Sequence, residues 1–466
     1  MSFVSIDFVL FAAVLYPLFS LILYRAPVLS ITIASLFFYS WINIYYLFLI
    51  LLSAAIDYGA ALLIERSKSM GTRKIWLAIS VCLNLAILIF FKYWNFFLPD
   101  VDDSESVSFE TYAVPLGLSF YTLQSIGYTV DVYKNKTKAE PNFVVYLLFV
   151  SFFPQLVAGP IERSKRLLPQ LRRMRDPDTR MFLSGLLLFL WGATIKLCVA
   201  DNFSPFVNAA LTPEKAGMAT WVACLLGMFY VYCDFHAYTL MARGLARGLG
   251  VELSHNFRQP FFARSLSGFW RRWHITLTTW IIDYVHLPIA RRFPDEPFRS
   301  VSAIFAMVLV GLWHGASWNF ILFGLLHGVA LRFWFLVDGA TDVFKSRGLR
   351  EMARSGCLLI FLAISAPLFL VASLDDCLLV LKGMFSLELG LSQLLSVPGK
   401  IGLFCGVVVA TLVLADDYFT GRNSRYSVEA TAGAIGKRSI LYGLGMISLI
   451  VVFANFRGQN FVYFQF

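Results

Sequence analysis

VSAIFAMVLVGLWHGASWNFILFGLLHGVALRFWFLV, residues 301–337, contains one arginine, Arg332, two histidines, His314 and His327, and no acidic side chain. A helix needs about 20 apolar residues to cross a bilayer, so the stretch reads as two spans, Val301–Trp318 and Asn319–Val337. Comparable runs recur along the chain: Val4–Tyr24, Val28–Ile44, Tyr46–Ile64, Ile75–Leu98, Met181–Ala200, Ala219–Tyr232, Cys357–Ala372, Ile401–Leu414 and Ile440–Phe456. The whole chain agrees with them. Of its 466 residues 58% are hydrophobic and only 15% charged, where a soluble domain has roughly 45–50% apolar and about 25% charged residues. A soluble enzyme, a disordered chain and a disulfide scaffold are excluded. The fold class is an all-α polytopic membrane protein of about 11–12 transmembrane helices.

The net charge of +10 points to cytoplasmic loops rather than to nucleic acid, because Lys and Arg accumulate on the inner side of a membrane protein. Arg66, Lys68, Arg73 and Lys74 mark one inside loop; Asp100, Asp102, Asp103, Glu105 and Glu110 mark the outside loop that follows. The first run has no basic residue ahead of it, which suits a retained span better than a cleaved leader. The seven cysteines form no CxxC pair and read as small packing hydrophobes.

Two apolar segments break the alternation. Phe143–Pro160 is flanked by Lys134, Lys136 and Lys138 on one side and by Arg163, Lys165 and Arg166 on the other, and it contains Pro154 and Gly159. A continuous helix tolerates such residues poorly, so a re-entrant segment is expected, which requires cover from protein or a watery cavity. Phe269–Ala290 repeats the pattern, with Arg271 and Arg272 at its start and Arg291 and Arg292 after it. It carries His274, Asp283 and His286, and fits either an amphipathic helix in the cytoplasmic interface or a second re-entrant element.

Ionisable groups inside apolar runs are costly and are functional candidates for that reason. His314 is the first, beside Gly315 and three residues after Gly311; His274 is the second. A membrane histidine also commonly serves only as an interhelical hydrogen bonder, and His236 and His327 fit that role. No GxSxG, HExxH or Walker motif occurs, so serine-hydrolase, zinc-protease and ATPase chemistry lose their usual support. Histidine suits general-base attack on a hydroxyl near neutral pH.

The residues Phe269-Trp270-Arg271-Arg272-Trp273-His274 and Gly311-Leu312-Trp313-His314-Gly315-Ala316-Ser317-Trp318-Asn319-Phe320 resemble the membrane-bound O-acyltransferase (MBOAT) family. So do Pro115–Thr122, Val130–Tyr133, Ser151–Ile161, Asn256-Phe257, Pro260-Phe261 and Phe461–Phe466. The bacterial polysaccharide O-acetyltransferase branch, typified by the alginate acetylation membrane subunit, is the most similar. Relatives usually carry Ser-Gly and an Asp where this chain has His236-Ala237 and Leu240.

The resemblance implies one integral-membrane domain over 1–466, with N-terminal spans in 1–112, a motif core in 113–337 and C-terminal spans in 338–466. It implies re-entrant segments around a central cavity. It makes His314 and His274 the catalytic pair, with Arg271, Arg272, Trp273, Trp313, Asn319 and Asp283 as substrate-binding candidates and no metal. Acetyl-CoA would be the donor substrate, with no tightly bound cofactor. The acetyl group would cross a bacterial inner membrane to an exported polysaccharide, alginate- or cellulose-like, through a periplasmic serine-hydrolase-like partner. The competing reading from another class is a polytopic transporter or export subunit without catalysis; transporters commonly show internal repeats, which are not evident here.

Overall fold

The structure, a computed structural model, describes the chain except residues 1, 42, 98–114, 116, 158, 175–177, 213–216, 387–399, 423–427, 429–435 and 457–466. The acidic outside loop and the Phe461–Phe466 motif therefore lie outside the described residues, which form helices and connecting turns without strands. Among the described residues six helices are long and apolar enough to cross a membrane, and the bent pair Trp318–Phe333 and Phe335–Thr341, with a 52° break, makes a seventh if it is one span. Four further apolar helices of 10–17 residues, Ile6–Leu21, Pro27–Ser40, Phe143–Leu156 and Ser439–Phe453, are each shorter than a full crossing. Several apolar runs are thus built from short or interrupted helices rather than from straight spans.

The chain divides into two compact units. The first holds residues 1–189 and 239–254. Its helices α1 (Ile6–Leu21), α2 (Pro27–Ser40), α3 (Ile44–Arg66) and α4 (Met70–Leu88) precede α5 (Leu118–Tyr133). Asp57 is buried at the centre of α3 and accepts from Ser80 Oγ at 2.6 Å and Asn84 Nδ2 at 2.8 Å, both on α4. Ser80 also reaches Thr129 of α5 at 3.2 Å. Both bonds fall on the same oxygen, Oδ1, and the network ties together three apolar helices whose rotation shape alone specifies weakly.

The Phe143–Pro160 segment breaks where its sequence says it should. Helix α6 (Phe143–Ser151) is capped by Asn142, whose side chain accepts from Val144 and Val145. Phe152 leaves the helical region (φ −52°, ψ 104°), and a short turn, Phe153–Leu156, restarts with Pro154 in its first positions. Gln124 of α5 donates to the Phe149 carbonyl at 2.5 Å and pairs with Gln155. Residues 145–157 are buried throughout, which is the cover that irregular backbone at membrane depth requires. Gly159 has no alternative, since a Cβ there would meet the backbone of Gln155.

The second unit holds residues 190–238 and 255–466. It contains a helical hairpin, α7 (Glu296–His314) and α8 (Trp318–Phe333). Gly311, Gly324 and Gly328 lie where the two helices touch backbone to backbone; a Cβ on Gly311 would collide with the Phe320 carbonyl. The room that Gly311 leaves is therefore taken by the neighbouring helix. Small residues permit such approach in membranes.

Candidate active site

His314 is the last residue of α7, and Gly315 continues in extended backbone. The missing side chain of Gly315 admits the Phe320 ring beside it, and that ring lies 6.2 Å from the His314 imidazole, centroid to centroid. Phe369 stands at 5.0 Å and Trp313 at 5.1 Å.

His274 comes from the second broken segment. Leu266–Trp270 is a single helical turn capped by Ser265, whose side chain accepts from Gly268 N. The chain leaves the helix after Trp270 and re-enters at Ile275–Ile281. The segment is therefore broken at residues 271–274, and from Ile275 it runs on as helix through a π turn to Arg292. His274 sits at the break with φ 40° and ψ 53°, the left-handed region that costs a non-glycine residue about 1–3 kcal/mol and clusters at functional sites. Asn256 holds the break open: its carbonyl accepts from Ile275 N at 2.9 Å and its side-chain oxygen from Thr276 Oγ1 at 2.6 Å. His274 is fully buried, 4.8 Å from Phe235 and 5.3 Å from Trp313.

The two imidazoles lie 6.5 Å apart, tilted by 59°. Two histidines forty positions apart in sequence thus meet in a shell of aromatic rings. The space beside His314, lined by Met228, Trp270, Trp273, His327 and Phe369 among others, measures only about 10 Å³. That is room for about one water. Packed rings fill the rest of the surroundings of His314.

A second cavity of about 500 Å³ lies in the same unit and is lined by Gln259, Phe261, Arg264, Arg272, Glu351 and Tyr418 among others. Phe261 faces it, and Trp273 faces the small space beside His314. The two rings are 6.5 Å apart, edge to face. Consecutive residues thus serve successive compartments: Arg272 the large cavity, Trp273 the wall and His274 the buried pair.

The remaining candidates separate. Trp313 packs against both histidines, 5.3 Å from His274 and 5.1 Å from His314. Asn319 is buried, and its amide nitrogen donates to the carbonyls of Val371 at 2.8 Å and Ala372 at 3.4 Å, which steadies the turn just after Phe369. Arg271 is exposed, with Nε on the Ser267 carbonyl at 3.3 Å. Asp283 is exposed on a π-helical turn and lines neither cavity. His327 is committed to its neighbours: Trp270 Nε1 donates to its Nδ1 at 3.2 Å, and its Nε2 lies 3.2 Å from Ser365 Oγ. An indole nitrogen can only donate, so Nδ1 accepts and Nε2 carries the proton toward Ser365. His236 stacks on Tyr232 at 5.2 Å.

One cluster has no counterpart among the sequence candidates. Lys196 is wholly buried between Asp201, at 2.8 Å, and Asp234, at 2.6 Å. Lys196 interrupts the run Met181–Ala200, and Asp201 follows that run directly; that interruption was the available signal.

Residues 24–347 match the family described as MBOAT, membrane-bound O-acyltransferase family. The chain belongs to the membrane-bound O-acyltransferase family. It is accordingly an acyltransferase and a multi-pass membrane protein, and the reading as a transporter without catalysis falls away. The peptidoglycan O-acetyltransferase of Helicobacter pylori is 33% identical over 395 residues, 78% of this chain and 74% of that one. A probable alginate O-acetylase, AlgI, of Pseudomonas putida is 30% identical over 474 residues, 94% of each chain. The teichoic acid D-alanyltransferase of Streptococcus thermophilus is 29% identical over 234 residues, 46% of this chain and 55% of that one.

Proposed function

We propose that the protein is an O-acetyltransferase that takes acetyl from acetyl-CoA at the cytoplasmic face of a bacterial inner membrane and passes it outward for O-acetylation of an exported polysaccharide. The names of its relatives support that acceptor class, since the two longer matches are called acetylating proteins of peptidoglycan and of alginate. A periplasmic serine-hydrolase-like partner finishes the transfer onto sugar.

The observation that carries the donor side is the sequence of compartments along Arg272, Trp273 and His274. The large cavity offers two arginines, Arg264 and Arg272, and guanidinium suits phosphate recognition. Phosphates held there would leave the acetyl end of the donor to pass the Phe261–Trp273 wall toward the histidines. Because the space beside His314 is nearly filled, those rings must move before chemistry; a site closed against water strengthens the electrostatics inside it.

His314 then acts as general base. Its imidazole takes the proton of the acceptor hydroxyl as the oxygen attacks the thioester carbonyl; the C–S bond breaks, and the thiolate leaves with the proton that the imidazole returns. His274 orients the donor carbonyl. The variant in which His314 itself carries acetyl differs in leaving a trappable acetyl-imidazole when donor is supplied alone.

The test is purified protein in a bilayer, given acetyl-CoA with and without a hydroxyl acceptor. Acetyl-CoA binding and acceptor-dependent thioester cleavage are expected, with Arg272→Gln raising the donor KM about tenfold. Absence of binding together with absence of cleavage would overturn the donor assignment.

A further inference from the structure

Glu351 stands in the wall of the large cavity, in the second turn of the helix Arg347–Ser365. One of its oxygens serves two arginines from different parts of the chain. Arg264 Nη1 donates to Oε1 at 2.8 Å, and Arg347 Nε donates to the same Oε1 at 3.0 Å. Arg264 lines the cavity, immediately before the turn that leads to Arg272 and His274, whereas Arg347 does not line it. The hydrogen bond from Arg347, with the charge of Arg264 beside it, holds the Glu351 carboxyl below the usual carboxylate range.

A guanidinium presents one fork of donors, and a carboxylate and a phosphate compete for it on the same geometric terms. We propose that Glu351 is a built-in competitor for the donor site: it occupies Arg264 until a phosphate of the acyl donor takes its place, and so sets the affinity and charge selectivity of that site. The inference rests on the donor reading above. The exchange is open because the pair is held loosely, Arg264 being 56% and Glu351 29% exposed, and exposed pairs of this kind contribute little. It leaves no stranded charge, because Arg347, one turn earlier on the same helix, keeps Glu351 partnered after Arg264 has turned to the phosphate. A carboxylate at the mouth also disfavours donors that lack a phosphate strong enough to displace it, which is selection by a repulsive element as well as an attractive one.

The experiment is calorimetric titration of the full chain in lipid nanodiscs with coenzyme A at low salt. Glu351→Gln is expected to tighten coenzyme A about fivefold and Arg264→Gln to weaken it about tenfold. In the Arg264→Gln background, Glu351→Gln should then change the affinity less than about twofold, because the competitor has lost the group it competes for. Arg347→Gln, which removes the alternative partner, should weaken binding in the otherwise native chain. Glu351→Ala repeats the first arm if the glutamine protein inserts poorly. Unchanged or weaker binding in Glu351→Gln and Glu351→Ala, with Arg264→Gln still weakening it, would overturn the competitor role and leave the donor site intact. Failure of the native chain and every variant to bind coenzyme A would instead overturn the donor reading, and this role with it.

Discussion

Two buried polar places lie in the same unit and solve opposite problems. Around Lys196 the protein buries formal charge and answers it at once with two carboxylates, Asp201 and Asp234, within 2.8 Å; the Tyr238 ring lies 5.9 Å from the ammonium. None of the three lines the large cavity or the small space beside His314. Around His274 and His314 the walls are rings, and a large cavity begins one aromatic pair away. Burying an ion commits its surroundings to that ion, because breaking a buried pair leaves a charge that nothing solvates. A neutral imidazole carries no such commitment and can change partners when a substrate arrives. The first place is suited to holding helices in register, the second to chemistry.

The contrast predicts different failures. Lys196→Met should produce the largest loss of stability, about 3–5 kcal/mol, seen as poor accumulation and a lowered melting temperature in detergent. Combining it with Asp201→Asn and Asp234→Asn should restore much of that loss; if the triple variant is no better than the single, the cluster does not act as a unit. Gly311→Ala comes next. Its methyl group meets the Phe320 carbonyl, so the α7–α8 hairpin must separate, at a cost of about 1–3 kcal/mol, with activity falling in proportion to folded protein.

His274→Asn separates structure from function at one position. Asn tolerates left-handed backbone better than most residues, so melting should shift by no more than about 1 kcal/mol equivalent. Acetyl transfer per folded molecule should still fall at least about tenfold. Equal activity would reduce His274 to a hinge. The smallest effect belongs to Asp283→Asn: the side chain is exposed and lines neither cavity, so stability should change within about 0.5 kcal/mol and transfer within twofold.

These residues also show what a sequence can carry. The apolar runs and the break in Phe143–Pro160 are legible because Pro154, Gly159 and paired basic flanks are local signals, and so is the candidacy of His274 and His314; the basic flanks of Phe269–Ala290 left a helix and a broken segment equally open. Their meeting at 6.5 Å was implied only by family resemblance, since nothing local in forty residues fixes it. Lys196 and Asp57 are not legible in the sequence, because a lone charge in an apolar run names no partner; Asp234 and Ser80 become visible as partners only once helices are packed. Asp283 grouped with His274 along the chain, yet a π turn carries it to the exposed side. Glu351 is hidden for the reverse reason, sitting in Lys345–Arg354, which reads as a basic inside loop until Arg264 is placed beside it.

The claim that one imidazole does the chemistry is met head-on by single-turnover acetyl transfer in native protein and in His314→Ala, at equal folded fraction as judged by melting and by coenzyme A binding. A general base accounts for about 10²–10⁴ in rate, so the variant should bind donor normally and transfer acetyl slower by about that factor. Transfer at the native rate from correctly folded His314→Ala would contradict it.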